Sequence, residues 1–305
     1  LKKWKNNVEV QGYVFEHTLN ERTSKAGQNY IAGDLKIATD EEGLNVVTVH
    51  YGYVTPMTAK GNPNETYNFL QTLIQDNKTW ISVGKANAQK VRVSSAAIEV
   101  NDFWSERDQT MVAPKRIRGS FCSALTGNIT KPAVFDVDMV IDTVVHHEVE
   151  NGDDYLELKG NVFDFRNNLI PLSLSVSKEE GIYAFEGMEI SQKNPAVVHL
   201  WGSIVTNTVV SEETSKEEVA FGAPVVNTTS RKFQSWQVEG ASVKQDFDSE
   251  ATITAEEFAE LVQKRQEHVA SEKTRQLEYR NRNSGFATAT PASKVETPFE
   301  DGYAF

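Results

Sequence analysis

Alternation with a period of two recurs through the first 240 residues. It is seen in "VEVQGYVF", "NVVTVHYGYV", "KVRVSSAAIEV", "FDVDMVIDTVV", "YLELKGNVFDF", "LIPLSLSVS" and "AVVHLWGSIV". Turn-forming clusters such as "DEEG", "ENGDD" and "RNN" separate these runs. Successive side chains of a strand point to opposite faces, so such runs describe half-buried strands. Many short strands punctuated by turns predict an antiparallel barrel or sandwich. One interruption reads as helix: in "NETYNFLQTLIQ" Asn64 can cap, and Tyr67, Leu70 and Ile74 fall on one face.

The strand pattern occurs twice. "NYIAGDLKIATDEEGLNVVTVHYGYV" is strand, turn, strand, and "DYLELKGNVFDFRNNLIPLSLSV" has the same layout. Further on, "KVRVSSAAIEVNDFWSERDQTMVAPKRIRGSF" is strand, charged loop, strand, as is "AVVHLWGSIVTNTVVSEETSKEEVAFGAPVVN". Each copy thus has five strands, the plan of a small Greek-key barrel of the OB-fold type. The second copy carries the connector "KEEGIYAFEGMEISQKN" where the first has its helix. The expected fold is all-β with a C-terminal helix: two tandem OB-fold-like barrels at 1–122 and 123–245, a helix at 250–283 and a tail at 284–305. Two unrelated β-domains sharing only alternation are the alternative.

Beyond residue 250 the pattern changes. Thr254 and Glu257 form a capping box, and Phe258, Leu261, Val262 and Val269 share a face of the helix that follows. The helix begins acidic and ends basic, which suits its dipole. Its second half is poor in apolar residues and is expected to project into solvent. The last stretch, "SGFATATPASKVETPFEDGYAF", reads as a disordered tail in which acids alternate with aromatics.

Charge divides the chain. Residues 1–118 hold 15 Lys and Arg against 13 Asp and Glu, whereas residues 119–253 hold 9 against 21, and the whole carries −12. A polyanion would be drawn to the first third and repelled by the middle. No run approaches the roughly 18 apolar residues of a membrane span. "LKKWKNNVEV" lacks the apolar stretch of a secretory signal. A single cysteine, Cys122, excludes an internal disulfide and a multi-cysteine metal site. Its neighbours in "SFCSAL" predict a buried thiol, and these points together place the protein in a reducing cytoplasm.

Catalytic patterns are missing. Gly84–Lys85 lacks the rest of a phosphate loop, and neither HExxH nor GxSxG occurs. His146 and His147 in "HHE" are adjacent on a strand, so their imidazoles diverge. Asp136, Asp138 and Asp142 share a parity and read as solvated decoration. No enzyme activity, cofactor or metal is expected.

Material for holding a single strand is better. Such grooves combine cations along the backbone with rings on which bases stack. In an OB-fold the groove crosses the second and third strands, between the loops joining strands one to two and four to five. Arg22 and Lys25 fall in the first loop, Tyr30 and Lys36 on strand two, and Tyr51 and Tyr53 on strand three. Arg92 falls on strand four, and Trp104, Arg107, Lys115 and Arg116 on or beside the second loop. Tyr51 and Tyr53 share parity with Val47 and Val49, which leaves core and groove both open. Phe69 and Trp80 read as core. The second copy offers Trp201 and Phe165, but its acidity suits a scaffold or protein-contact role.

"VEVQGYVFEHTLNERTSKAGQNYIAGDLKIAT" and "NFLQTLIQDNKTWISVGKANAQKVRVSSAAIEVNDFWSERDQ" resemble bacterial and phage single-stranded DNA-binding proteins in opening strand, basic bend, helix and tryptophan-bearing loop. "TPFEDGYAF" is similar to that family's acidic tip. The resemblance implies a replication or recombination protein that coats single-stranded DNA with little sequence preference. Arg22, Lys25, Trp104 and Arg107 would contact DNA. Phe299, Glu300, Asp301 and Phe305 would recruit partner proteins, and self-association would fall to the helix. A second barrel and a long helix depart from the single-barrel plan. A structural or assembly protein, for example a virion component of paired barrels, is the main alternative. A nuclease using Asp136 and Asp138 for metal is another.

Overall fold

Residues 3–148, 154–214, 226–245 and 253–284 are described by the computed structural model. The chain enters in β1 (Asn6–His17), turns through β2 (Asn20–Thr23) into β3 (Asn29–Ala38), and returns in β4 (Val46–Val54). Helices α1 (Glu65–Asp76) and α2 (Trp80–Val83) lead to β5 (Lys90–Val100). The hairpin β6 (Phe103–Ser105) and β7 (Thr110–Val112) precedes β8 (Lys115–Arg118) and β9 (Phe121–Ala124). Strands β1–β3–β4–β8–β5 close back onto β1; β4 and β8 run parallel and the other pairs antiparallel. β9 adds to the outside of β5.

The second half repeats this circuit. It comprises β10 (Ala133–His147), β11 (Tyr155–Phe163), β12 (Leu169–Val176), α3 (Glu179–Glu186), β13 (Ala196–Thr214) and β14 (Val226–Ala241). β10–β11–β12–β14–β13 closes onto β10, again with one parallel contact, between β12 and β14. Both rings have the strand order 1-2-3-5-4 of a five-stranded Greek-key barrel. The connector expected in place of a helix does form one: α3 spans eight residues with Glu179 and Glu180 in its first turn, where the dipole favours acids.

Local chemistry explains the elements. Asn64 caps α1 by accepting from the Thr66 amide at 3.1 Å, and Tyr67, Leu70 and Leu73 are buried on its inner face with Ile74 packed at the edge. Gly33 sits at a bulge between β3 and β4 with φ of +140°. A Cβ there would lie 2.4 Å from the Thr18 carbonyl oxygen, so only glycine lets β3 pass this close.

The barrels join edge to edge. β1 pairs antiparallel with β10 from Asn6↔Val137 to Val10↔Ala133. This seam buries both faces of β1, including Glu9 and Gln11. Each is paired there, as buried polar groups must be. Glu9 meets Arg92 at 2.8 Å and Lys131 at 3.7 Å. Gln11 donates to Glu9 at 2.9 Å and accepts from the Thr130 amide at 3.0 Å. Asn45, in the β3–β4 turn, donates to the Ile204 carbonyl at 3.2 Å and accepts from the Thr206 amide at 2.8 Å, a second weld.

Helix α4 (Ala255–Ser284) staples the two barrels. Thr254 and Glu257 bond reciprocally at its start. Phe258, Leu261 and Val262 pack on Val140, Phe163, Leu169 and Val197 of the second barrel. Its second half does not project into solvent. It lies on the β6–β7 hairpin of the first barrel, and just before the helix midpoint Arg265 grips Asp102, the residue preceding that hairpin, with both terminal nitrogens at 2.5 Å. Gln276 accepts from the Trp104 amide at 2.8 Å, and Arg280 meets Glu106 at 3.0 Å. Among the described residues no helix is long and apolar enough to cross a membrane.

Candidate functional site

At the open end of the first barrel the hairpin β2–β3 places Arg22 across from Tyr30, with Lys25 at its tip. Tyr30 packs on Tyr53, near the end of β4, with ring centroids 4.5 Å apart. Tyr53 is 53% exposed, and its hydroxyl donates to Gln28 at 3.0 Å, which holds the ring against the hairpin. Arg22 and Lys25 are exposed and have no ion-pair partner among the described residues. A packed ring pair with one ring exposed, beside two cations that have no ion-pair partner among the described residues, can accept flat, anionic ligands.

A cleft of about 700 Å³ lies over the outer face of β3, β4 and β8, with its far wall from β13 and β14 of the second barrel. Lys36 on β3 pairs with Glu16, its cross-strand neighbour on β1. His50 on β4 bonds Asp34 on β3 at 2.8 Å. Arg116 meets Glu99 across the β5–β8 ladder at 2.5 Å. The Lys115 ammonium reaches the Ser173 carbonyl at 3.5 Å. Loss of surrounding water lowers its pKa, and Glu157 pulls the other way. The cleft is thus a lattice of paired charges in which Lys115 has no carboxylate partner among the described residues.

Four predicted residues are placed elsewhere. Tyr51 points into the barrel and is fully buried, so it cannot present a ring. Gly119 makes room for it: a Cβ at that position would sit 2.4 Å from the ring. Arg92 lies on the β1–β5–β9 face, opposite Gln11 and Ser123, and serves the seam through Glu9. Trp104 is covered by α4: Lys273 stands 4.7 Å over its ring, and its indole nitrogen is buried without a partner. Arg107 is exposed at the β6–β7 tip, apart from the tyrosine pair. The tail residues Phe299, Glu300, Asp301 and Phe305 lie outside the described residues.

Trp80, expected in the core, is half-buried on the barrel's outer surface, with ring centroids 5.8 Å from Tyr13 and 6.1 Å from Phe15. Lys85 lies 5.5 Å over Trp80, and Lys90 lies 5.3 Å over Tyr13. Phe15 also lines the cleft. This second ring-and-cation patch escaped the sequence reading. The shared parity of Tyr13 and Phe15 was visible, but only the folding back of α2 brings Trp80 to them.

The acidic and histidine candidates have other partners. His146 bonds Glu186 at 3.0 Å and His147 bonds Glu157 at 3.1 Å, in different directions. Asp136 and Asp138 are not free decoration: both hold His199, at 3.1 and 3.0 Å. No cluster of three or more His, Cys, Asp or Glu is arranged to hold a metal among the described residues.

Comparison with curated proteins returns no match. Among solved structures, the chain is similar to the wild-type single-stranded DNA binding protein from Thermus aquaticus, with 13% identity, 82% of this chain and 98% of that chain covered, and a TM-score of 0.47. A deletion mutant of the same Thermus aquaticus protein gives 14% identity, 82% and 100% coverage, and a TM-score of 0.47. A family model matches residues 5–275, nearly the whole described chain, and the protein therefore belongs to the YorF family.

Proposed function

We propose that this chain binds single-stranded DNA without catalysing a reaction on it. The observation that carries the reading is the Tyr30–Tyr53 ring pair, with Tyr53 exposed and Arg22 and Lys25 on the same hairpin end, on the β3–β4 ladder that also lines the cleft. Rings supply stacking at about 1–3 kcal/mol per base, and the cations supply phosphate attraction. Neither selects a base sequence, so the preference is for single strands over duplex rather than for a motif. The paired charges of the cleft keep Lys36 and His50 in place, and a phosphate would compete with Glu16 and Asp34 for them. Within this reading the protein serves replication or recombination in the cytoplasm of a bacterial or phage-infected cell, and Phe299, Glu300, Asp301 and Phe305 recruit partner proteins.

Anisotropy titration of a labelled oligo-dT tests it. Affinity is expected to fall with salt at a log–log slope of about −0.7 per phosphate contacted. Tyr53→Ala is expected to weaken binding by about 1–3 kcal/mol while leaving Tm unchanged, because the ring is on the surface. A flat salt response together with an unaffected Tyr53→Ala variant overturns the reading.

A second reading has its own support. The β13–β14 ladder continues as far as Thr214↔Val226, a hairpin of 19 and 16 residues. A long arm of this kind suits an assembly protein that grips a neighbouring subunit, and such a chain would oligomerise without responding to DNA.

A further inference from the structure

Where the two barrels and α4 meet there is a second cavity, of about 500 Å³, on the opposite side of the Arg116–Glu99 pair from the cleft. Volumes of several hundred Å³ suit small organic ligands. Its floor is aromatic: Trp4 stacks on Phe163 with centroids 4.2 Å apart and planes 12° from parallel. Its mouth holds Phe165, 76% exposed at the β11–β12 turn, with the Arg166 guanidinium 5.0 Å from the ring centroid.

The acids that line this cavity are already engaged. Both Asp102 oxygens hold Arg265, and Glu99 holds Arg116. Asp164 accepts from the Arg166 and Asn168 amides at 2.7 Å each, closing its own turn. The cations are not matched in the same way. Arg118 and Lys264 are exposed and have no carboxylate partner among the described residues, and Arg166 has only the Phe165 ring. A cavity with a stacked ring floor, an exposed ring at its mouth and three unneutralised cations calls for a ligand with both phosphate and a flat base.

The cavity also adjoins the cleft. His50, which lines the cleft, and Arg118, which lines the cavity, are direct partners across the parallel β4–β8 ladder. Both point outward, since Val49 and Ile117 beside them are buried. We infer that a single strand leaving the β3–β4 face crosses at His50 and Arg118 and places its next nucleotides in this junction cavity, with phosphates on Arg118 and Lys264 and a base on Phe165. The inference rests on the single-strand reading above. It assigns the acidic second barrel a share in DNA contact through Phe165 and Arg166, whereas its composition suggests a scaffold.

The test uses the full chain and oligo-dT of increasing length. The double variant Arg118→Ala, Lys264→Ala is expected to leave the affinity for the shortest bound oligomers unchanged. For long oligomers it is expected to reduce the salt slope by about 1.4, since two phosphate contacts are lost. Phe165→Ala is expected to weaken only the long oligomers, about fivefold or more. Iododeoxyuridine placed at successive positions should crosslink to Tyr30 or Tyr53 at one end and to Phe165 further along. These side chains are exposed, so the variants keep the fold. If Tyr53→Ala weakens binding while the cavity variants keep the native slope and no crosslink reaches Phe165, this inference falls and the single-strand reading stands. If the unaltered chain ignores oligo-dT altogether, both fall.

Discussion

Tyr51 and Tyr53 stand two residues apart on β4 and meet different fates. Tyr51 lies inside the barrel against the bare backbone of Gly119, whereas Tyr53 lies past the Gly33 bulge, where the barrel ends and the ring meets water. The Tyr51 hydroxyl finds no strong partner; the Cys122 thiol beside it is a weak one, and burial pushes the phenol pKa well above its ordinary range. Tyr51→Phe is therefore expected to keep or raise Tm, since it removes an unsatisfied buried group. Tyr51→Ala should cost about 3–5 kcal/mol in urea unfolding. Burial also pushes the Cys122 thiol up to about 12. Native protein at pH 8 should resist iodoacetamide and react once unfolded, because the thiolate is the nucleophile. His17 behaves in the opposite sense: burial lowers its pKa below 6.5. Its contribution to stability is complete above that value and is lost as the pH falls from there through the lower folded pKa. Tm should decline on acidification below about 6.5, and less steeply in His17→Gln.

The β6–β7 hairpin and α4 belong together. The hairpin is short with a charged turn, and Trp104 at its start reads from sequence as an exposed stacking ring. Packing reverses this, because Lys273 and Gln276 of α4 close over it. The helix gains in return. Its second half has little apolar surface; Gln276 and Arg280 hold it to the hairpin, and the Asp102–Arg265 pair, whose side chains are almost buried, anchors it from just before the midpoint. Breaking such a pair leaves an uncompensated charge, at a cost of about 3–5 kcal/mol. Arg265→Ala should free the second half of α4, seen as faster amide exchange from about residue 265 onward, with exchange at Phe258 to Val262 less affected. Removing both partners in Asp102→Ala, Arg265→Ala should cost less than Arg265→Ala alone. If the double variant is the worse of the two, the pair is not what holds the helix.

Across the whole molecule, the barrels share one apolar core from Val8 to Val238 and a seam in which Asn6 is a central tie. Its amide donates to the Ile98 and Phe163 carbonyls at 3.0 Å each, and its oxygen accepts from the Ile98 amide at 2.8 Å. The two barrels should therefore unfold in a single thermal transition. Asn6→Ala should lower its midpoint, because carbonyls of both barrels lose their donor.

Alternation, turn clusters and the repeated layout make the five-stranded plan legible in the sequence itself, since period-two burial is a local property of a strand. Helix α1 was legible for the same reason, through its cap and the face of Tyr67 and Leu70. The neighbourhood of Arg22, Lys25 and Tyr30 also followed from one hairpin, whose residues are close in sequence. Contacts between distant segments were not legible. Glu9 and Gln11 are buried because a second barrel docks on β1; Arg92 is taken up by Glu9 at that seam, Trp104 is roofed by α4, and Trp80 folds onto Tyr13. Pattern along a chain reports which face of an element is apolar, but not which other element will cover the remaining face. That choice is made by long-range packing, and it decides which rings and cations are left to a ligand.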